Sequence, residues 1–372
     1  MKVCIDVQSA VTQRAGVGRY TRTLAEHLGA LTRPSDDLLL FYFDFKRAAR
    51  PFAVARGSER VVRWCPGRLA QWAWKTLRWP PFDALCGAAD LYHFPNFVLP
   101  PLRRGRSVVT IHDVSFLRYP QFAEEKNLRH LRAHMRETIR RADAILTVSA
   151  FSAGEITELF DVEPARVHAV HNGIAAHFRP AAPAPVRTVR ERHGLRKPYL
   201  LTVGTLEPRK NLPFLVDLFE ALERPDLDLV IAGMAGWKVS GILQRLHESR
   251  RAEDIRWIEY VGDDELPALY SGAEAFVCTS VYEGFGFPPL EAMACGTPVL
   301  SSSGGSLAEV LDDAAVVRHD FELAAWRDSL LGLLDDTAGR ASLRAAGRAR
   351  ASRFTWENAA RQIWDVYRRV AG

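Results

Sequence analysis

The sequence predicts an α/β protein of two Rossmann-like domains, each a doubly wound parallel sheet, that face each other across a cleft. The length of 372 residues suits about two domains. Short apolar runs alternate with helical patterns, which is typical of βαβ units. The alternation stops at a proline- and alanine-rich segment, residues 179–198, and starts again at Tyr199. In such a fold a ligand is expected at the carboxyl ends of the strands.

The first predicted domain covers residues 1–178. Its strands are expected at 2–7, 38–43, 91–94, 107–111, 144–148 and 167–170, with helices at, for example, 18–30, 124–141 and 150–160. Ser149 and Ser152 are both candidate N-caps of the last helix, and Ser152 with Glu155 has capping-box spacing.

The second predicted domain covers residues 199–354, after a linker at 179–198. Its strands are expected at 199–204, 228–233, 257–262, 275–279, 298–302 and 314–317. From Phe321 onward the pattern is helical, and residues 355–372 are treated as a separate C-terminal helix.

Composition narrows the functional class only in part. The five cysteines are odd in number and form no C-x-x-C pair, which predicts reduced core thiols in a cytosolic protein. The start, MKVCIDV, suits a buried strand better than a signal peptide, and no apolar run is long enough to span a bilayer. The net charge of +5 fits an anionic ligand, a membrane surface or nucleic acid, and does not choose among them.

The first candidate motif is AGVGRY, residues 15–20, after the first strand. Gly16 and Gly18 allow backbone to approach a ligand closely, and the following helix offers free N–H groups to an anion. A tight βα turn explains the same residues. A dinucleotide fingerprint would need glycine where Thr21 stands, which disfavours an NAD-dependent dehydrogenase.

The second motif places His112 and Asp113 just past a predicted strand. A histidine at a strand end is positioned to bind a sugar hydroxyl or to stabilise developing charge. The alternative is a loop histidine paired with Asp113.

The third motif is VGTLEPRKN, residues 203–211. Arg209 and Lys210 lie between a strand and a helix that begins near Asn211, and two cations beside a helix N-terminus suit a diphosphate. A solvated basic turn is the alternative, and the spacing is not that of a Walker A loop.

The fourth motif is SVYEGFGFPPLEAMACGTPVL, residues 280–300. Prolines suit the first turn of a helix, so Glu291 is expected in that turn and Glu283 on the loop before it. Each carboxylate can accept hydrogen bonds from paired sugar hydroxyls. Favourable interaction with the helix dipole would explain Glu291 but not Glu283. Because no His/Cys cluster has ligand spacing, no metal is expected to be required.

A fifth stretch, RLAQWAWKTLRWPPF at residues 68–82, mixes Trp72, Trp74 and Trp79 with three cations. Such a mixture suits a membrane interface and would imply a lipid-linked acceptor. A core-facing helix with solvated cations is the alternative.

Together these motifs resemble those of the retaining glycosyltransferases of family four, group 1, which have the GT-B fold. The glycine loop, His112-Asp113, GTLEPRKN and the two glutamates in E-x7-E spacing match in order and spacing. The wording YEGFGFPPLEAMACGTPV looks most like bacterial mannosyltransferases that use GDP-mannose in surface polysaccharide synthesis.

The resemblance implies a role for each matching residue. His112 and Glu283 would contact the donor sugar, with Phe285 and Gly286 beside it. Donor-binding positions would be Gly16, Gly18, Gly204, Arg209, Lys210, Val261, Phe285, Gly286 and Glu291: the two cations at the diphosphate, Glu291 at the ribose, Val261 near the base. Where many members have arginine, this chain has Leu206, and Arg209 is the candidate substitute. The helix 355–372 would cross back onto the first domain.

The implied function is transfer of a hexose with retention of configuration, most simply mannose from GDP-mannose, to a glycan or lipid-linked glycan acceptor. Expected partners are the nucleotide-sugar donor, that acceptor and an anionic membrane surface on the cytoplasmic side; no nucleic acid and no cofactor are expected. UDP-glucose or ADP-glucose as donor, a nucleotide-sugar epimerase and a binding module without catalysis remain alternatives.

Overall fold

The computed structural model describes residues 1–13, 16–50 and 52–372. Its strands are β1 Lys2–Asp6, β2 Asp37–Phe43, β3 Ser58–Val62, β4 Leu91–Phe94, β5 Arg106–Thr110, β6 Ala144–Thr147, β7 Val167–Ala169, β8 Tyr199–Val203, β9 Asp228–Ala232, β10 Ile255–Ile258, β11 Ala275–Cys278, β12 Val299–Ser302 and β13 Val316–Arg318.

The helices follow the same chain order. They are α1 Gln8–Thr12, α2 Val17–Leu31, α3 Gly67–Thr76, α4 Phe82–Cys86, α5 Ser115–Arg118, α6 Glu125–Arg141, α7 Ala150–Phe160, α8 Pro183–Arg192, α9 Leu212–Ala221, α10 Ser240–His247, α11 Leu266–Ser271, α12 Phe287–Ala294, α13 Leu307–Leu311, α14 Leu323–Asp335, α15 Thr337–Ala351 and α16 Trp356–Ala371.

The described chain divides into two compact units. Unit 1 comprises Met1–Val114, Lys126–Gly173 and Trp356–Gly372. Unit 2 comprises Ser115–Glu125 and Ile174–Thr355. The segment 179–198 therefore belongs to unit 2, where half of it forms α8.

Unit 1 is built on a parallel sheet. Within the described residues its seven strands lie in the order β3-β2-β1-β4-β5-β6-β7, and every pair is parallel. The inner strands are apolar because helices cover both faces of such a sheet. The sequence did not predict β3, an edge strand with mostly exposed side chains, because it lacks an apolar run.

The start of α7 shows how local sequence sets a helix boundary. Ser149 is the N-cap, and its side chain accepts a hydrogen bond from the backbone N–H of Ser152 at 3.1 Å. Of the two candidate N-caps, Ser149 therefore has the role, because its oxygen satisfies an N–H that has no partner within the helix.

The C-terminal helix α16 packs into unit 1. Trp364 is buried and its indole N–H donates to the carbonyl oxygen of Leu28, 3.1 Å away. The hydroxyl of Tyr367 lies 2.6 Å from Nδ1 of the buried His93. These contacts join the end of the chain to α2 and β4.

Unit 2 repeats the architecture with a second parallel sheet. Its order among the described strands is β10-β9-β8-β11-β12-β13. A core of leucines, together with Phe219 and Trp326, packs on one face of this sheet. Burial of this apolar surface is the main term that stabilises the unit.

In both sheets the order in which successive strands are added reverses at one point. In unit 1 the first strand lies between the second and the fourth, and β8 in unit 2 lies in the same way between β9 and β11. In sheets of this kind, ligands bind beyond the carboxyl ends of the two strands that flank the reversal. In unit 2 those ends are Val203 and Cys278.

No helix in the described part of the chain is both long enough and apolar enough to cross a membrane.

Replacing Trp364 with alanine should lower the free energy of unfolding by about 3–5 kcal/mol, because a buried indole and its hydrogen bond are lost. Arg361 lies on the same helix with a side chain that is 60% exposed, so Arg361→Ala should cost less than about 1 kcal/mol. Urea unfolding followed by circular dichroism compares the two variants. Equal costs would show that α16 is not packed on unit 1 as described.

Candidate active site

The carboxylate of Glu283 is the centre of a cluster of charged side chains in unit 2. Lys210 Nζ donates a hydrogen bond to Oε1 at 2.6 Å, and Ser280 Oγ donates to the same oxygen at 2.7 Å. Arg209 Nη1 donates to Oε2, also at 2.6 Å. Glu283 is only 7% exposed, so these charge-assisted hydrogen bonds lie largely out of water.

The cluster keeps Glu283 ionised. Burial by itself would raise the pKa of Glu283, but the charges of Arg209 and Lys210 outweigh it. Together with hydrogen bonds from Lys210 and Ser280 they lower the pKa to about 2. The group is therefore a fixed acceptor near neutral pH.

Arg209 is held on two further sides. Its Nη2 donates to Glu207 Oε1 at 2.6 Å, and its Nη1 also donates to the carbonyl oxygen of Tyr282 at 2.6 Å. Glu207 is buried, at 3% exposure. The guanidinium therefore ties the loop of Glu283 to the turn of Glu207. Its predicted contact with a diphosphate stays a prediction.

The neighbouring Leu206 lies in a setting that disfavours a charged side chain. Leu206 is fully buried in the core of unit 2, and its backbone pairs with Met234 and Gly236. A cation at that position would enter apolar surroundings at high cost. In this chain Arg209 brings the cation to Glu283 instead.

The topology brings these residues together. Residues 208–210 form a 3₁₀ turn after β8, and Glu283 follows β11, the neighbouring strand. The backbone N–H of Val281 donates to the carbonyl oxygen of Arg209 at 2.8 Å, and Thr279 Oγ1 donates to that of Lys210 at 2.9 Å. The cluster thus lies at the strand reversal of unit 2.

Gly204 leaves room for the Lys210 side chain to reach Glu283. It has φ +147°, and a Cβ at this position would lie 3.2 Å from Cε and 3.3 Å from Nζ of Lys210. A larger residue would displace the ammonium group, so Gly204 has a steric reason to be glycine.

A loop that the sequence analysis did not identify fixes the backbone of Glu283. Gly304 accepts from the N–H of Glu283 at 3.2 Å, and the N–H of Ser306 donates to the carbonyl of Glu283 at 2.9 Å. Gly305 has φ +68°, and a Cβ there would lie 2.2 Å from that carbonyl oxygen. The signal in the sequence is the glycine pair that follows β12.

Glu291 does not lie where the sequence analysis expected it. It is the fifth residue of α12, in the second turn, because the helix already begins at Phe287. The expectation of a first-turn position was wrong, and the explanation by the helix dipole loses its basis. Instead the buried carboxylate accepts a hydrogen bond from the Tyr270 hydroxyl at 3.0 Å.

The other predicted donor-binding residues of unit 2 differ in burial and in local structure. The ring of Phe285 is buried against Phe287 and Phe354, with ring centroids 5.1 and 5.8 Å away. Gly286 is the N-cap of α12 with φ +91°. Val261 lies on the loop after β10 and is 9% exposed.

In unit 1, His112 follows β5 and is held by its surroundings. Its Nε2 lies 2.9 Å from the carbonyl oxygen of Pro95 on the loop after β4, so this nitrogen carries the proton. Tyr20 packs edge-on against the imidazole at 4.6 Å. Burial lowers the pKa of His112, more than the Pro95 hydrogen bond and Asp113 raise it.

The glycine motif precedes and enters α2. Gly16 is the N-cap with φ +58°, and Gly18 lies in the first turn of the helix. Ala15, the first residue of the motif, lies outside the described residues. At Gly18 a Cβ would lie 2.5 Å from the carbonyl oxygen of Gln13, so close backbone packing requires glycine there.

The structure therefore brings four predicted residues, Gly204, Arg209, Lys210 and Glu283, into one cluster. The sequence did not indicate three hydrogen-bonding partners of these sites. Glu207 and Ser280 belong to the cluster around Glu283, and Tyr270 contacts Glu291. Glu207 and Ser280 lie inside quoted motifs, but their pairing is visible only once the strands are adjacent.

Two family models match this chain. "Glycosyltransferase Family 4" matches residues 14–178, and "Glycosyl transferases group 1" matches residues 187–350. O-antigen chain mannosyltransferase B of Escherichia coli is 32% identical over 99% of this chain and 100% of its own length. The chain belongs to the family 4 glycosyltransferases.

This glycosyltransferase also resembles longer proteins and solved structures. Serotype-specific mannosyltransferase WbdA of Escherichia coli is 28% identical over 71% of this chain and 34% of its own length. Sucrose-phosphate synthase from Thermosynechococcus elongatus matches with TM-score 0.78 and 20% identity, over 100% of this chain and 99% of that one. The predicted GT-B class, two parallel-sheet α/β domains, is confirmed.

The ion cluster should make the free energy of unfolding depend on pH in the acidic range. Because folding lowers the pKa of Glu283 from 4.5 to about 2, its stabilising contribution is present above pH 4.5 and lost as pH falls toward 2. Between pH 5 and pH 3 the wild type should lose about 2 kcal/mol more unfolding free energy than Glu283→Gln. Urea titrations at both pH values measure this difference. Parallel losses in the two proteins would contradict the assigned ion pairs.

Proposed function

We propose that this glycosyltransferase moves mannose from GDP-mannose, with retention of anomeric configuration, to a lipid-linked glycan in the synthesis of a cell-surface polysaccharide such as lipopolysaccharide. The ion cluster around Glu283, at the strand reversal of unit 2, is the observation that carries the proposal. In this cluster a fixed carboxylate and two cations lie at the edge of the sheet where doubly wound folds bind ligands, which supports a nucleotide sugar as the ligand.

Lys210 would stabilise the leaving diphosphate. Breaking the bond between sugar and phosphate builds negative charge on the phosphate oxygens, and an ammonium group already in place lowers the barrier. Helix α9 begins at Leu212, with Asn211, the residue after Lys210, as its N-cap, and its N-terminus adds a positive potential for the same anion. These groups can act without a metal ion.

Glu283 would orient the mannose by accepting hydrogen bonds from its hydroxyl groups. A carboxylate that stays ionised near neutral pH is an acceptor only, so it selects donors rather than supplying a proton. Arg209 would act through Glu283: its contacts with Glu207 and Tyr282 fix the position of the carboxylate.

Glu291 would bind the ribose of the nucleotide. Its carboxylate accepts a hydrogen bond from the Tyr270 hydroxyl, and a carboxylate is the kind of acceptor that paired ribose hydroxyls require. Val261 would lie near the base, with the backbone of Phe285 and Gly286 beside the sugar. These assignments follow the family resemblance.

His112 would contact the sugar near its reacting carbon, and Gly16 and Gly18 would admit the donor closely. With Nε2 donating to Pro95, the other ring nitrogen, Nδ1, is an acceptor for a hydroxyl. The lowered pKa supports a neutral imidazole in this role.

Mannose as the sugar is supported by the two mannosyltransferases that this chain resembles. The full-length match to an O-antigen chain enzyme supports a polysaccharide product. UDP-glucose or ADP-glucose is the second candidate donor, because the proposed contacts of the ion cluster are to the diphosphate and sugar hydroxyls that all these donors share.

The donor can be decided by nucleotide release from GDP-mannose, UDP-glucose and ADP-glucose, each with a lipid-linked mannan acceptor. We expect kcat/KM to be at least about tenfold higher for GDP-mannose, since a polar site rejects donors that leave its groups unpaired. Faster turnover of UDP-glucose would replace mannose by glucose in the proposal. No thermal shift with any of the three would reject a nucleotide-sugar enzyme.

Replacing Lys210 with methionine should reduce kcat for mannosyl transfer by about 100- to 1000-fold, because a donor to the developing charge is lost. Lys46→Met removes an exposed lysine of unit 1 and serves as the matched control, with activity expected within about twofold of wild type. Steady-state kinetics with GDP-mannose, together with circular dichroism, measure both. A Lys210→Met enzyme with near-normal kcat would contradict the role of the ammonium group.

A further inference from the structure

A surface on unit 1 carries far more exposed apolar area than its surroundings. Trp64 is 71% exposed, Trp72 56% and Trp79 67%; the neighbouring Leu69 and Leu77 are 53% and 62% exposed. Among the described residues, these five account for much of the solvent-exposed surface of large apolar side chains. Exposed apolar groups in such density mark an interaction site.

Helix α3 shows why these side chains point outward. Residues 68, 69, 72 and 75 recur at helical spacing and lie on its exposed face. Its opposite face holds Ala70 and Trp74, and the Trp74 indole donates to the carbonyl oxygen of Pro80 at 2.7 Å. Helix α3 therefore has a core-facing side, where Trp74 packs inward, and a solvent-facing side, where Trp72 is exposed.

The same surface is strongly basic. Residues 60–82 contain five cations and no carboxylate: Arg60, Arg63, Arg68, Lys75 and Arg78. Helix α6 adjoins this surface, since Lys75 Nζ lies 3.2 Å from His130 Nδ1 and Arg78 pairs at 3.0 Å with Glu137, which offsets part of the positive charge. The solvent side of α6 adds three exposed cations, Lys126, Arg129 and Arg136, and one exposed carboxylate, Glu125.

We propose that this surface, residues 64–79 with the adjoining face of α6, docks unit 1 onto an anionic lipid bilayer, with Trp64, Trp72 and Trp79 at the headgroup level. Tryptophans surrounded by lysine and arginine are the residues favoured at such an interface. Each cation near an anionic surface strengthens binding. The absence of any carboxylate in residues 60–82 fits a negatively charged partner.

The chemistry of the surface favours a bilayer over two other partners. A second copy of this chain would place five cations against the same five cations, which repel. Single-stranded nucleic acid is bound by stacking on aromatic rings, to which Leu69 and Leu77 add nothing. Leucines between tryptophans suit acyl chains. Docking would bring the enzyme to a lipid-linked acceptor, but it does not depend on the donor or the reaction.

The test is flotation of the full chain with vesicles of phosphatidylcholine and phosphatidylglycerol at 70:30, with pure phosphatidylcholine as reference. Binding to the anionic vesicles should be at least about tenfold stronger and should weaken at high salt. Arg68→Gln with Lys75→Gln should weaken it by about 25-fold, about fivefold for each cation. The triple variant Trp64→Ser, Trp72→Ser, Trp79→Ser should weaken it by at least about tenfold.

Matched controls lie in unit 2. Arg187→Gln with Arg250→Gln removes two exposed arginines, and Tyr260→Ser removes an aromatic ring that is 69% exposed. Both should bind vesicles within about twofold of wild type. Circular dichroism confirms that the variants are folded, and no sugar donor is present, so the outcome is separate from the test of the proposed function.

Three results would each overturn the proposal. One is no preference of the wild type for anionic vesicles, and another is equal weakening by the surface variants and the unit 2 controls. The third is that the tryptophan substitutions alter the molar mass in light scattering, or the affinity for single-stranded RNA, and leave vesicle binding unchanged.

Discussion

The ion pairs of Glu283 with Arg209 and Lys210 are the constraint on which the candidate site depends. Two carboxylates, Glu207 and Glu283, face two cations in a part of unit 2 that is largely closed to water. Buried charges are tolerated only when they are paired and hydrogen-bonded, so each member holds the others in place. The result is a fixed hydrogen-bond acceptor beside a cation, which in the proposed function hold the donor's sugar and diphosphate.

The parallel sheet makes this cluster possible. Strand order places β8 beside β11. The turns that follow these two strands, more than 70 residues apart in sequence, therefore lie at the same edge of the sheet. Two glycines provide the space that this arrangement requires. Gly204 leaves room for the Lys210 side chain, and Gly305 lets its loop approach the backbone of Glu283. Fold and site are therefore linked through close backbone contacts rather than through the charged groups alone.

Much of the fold could be predicted because buried parallel strands are short apolar runs, and most predicted strands agree with the structure to within two or three residues. β3 was missed because an exposed edge strand lacks that pattern. Charged motifs at strand ends indicated Arg209, Lys210 and Glu283. The pairing of Arg209 with Glu207, the hydroxyl of Tyr270 on Glu291 and the outward turn of Trp72 depend on packing between distant segments, which spacing along one chain does not contain.

A crystal structure of the enzyme with GDP-mannose would show directly whether the ion cluster contacts the donor. We expect a mannose hydroxyl within hydrogen-bond distance of the Glu283 carboxylate, the diphosphate at Lys210 and the ribose at Glu291. A nucleotide bound elsewhere in unit 2, or a sugar beyond the reach of Glu283, would contradict it.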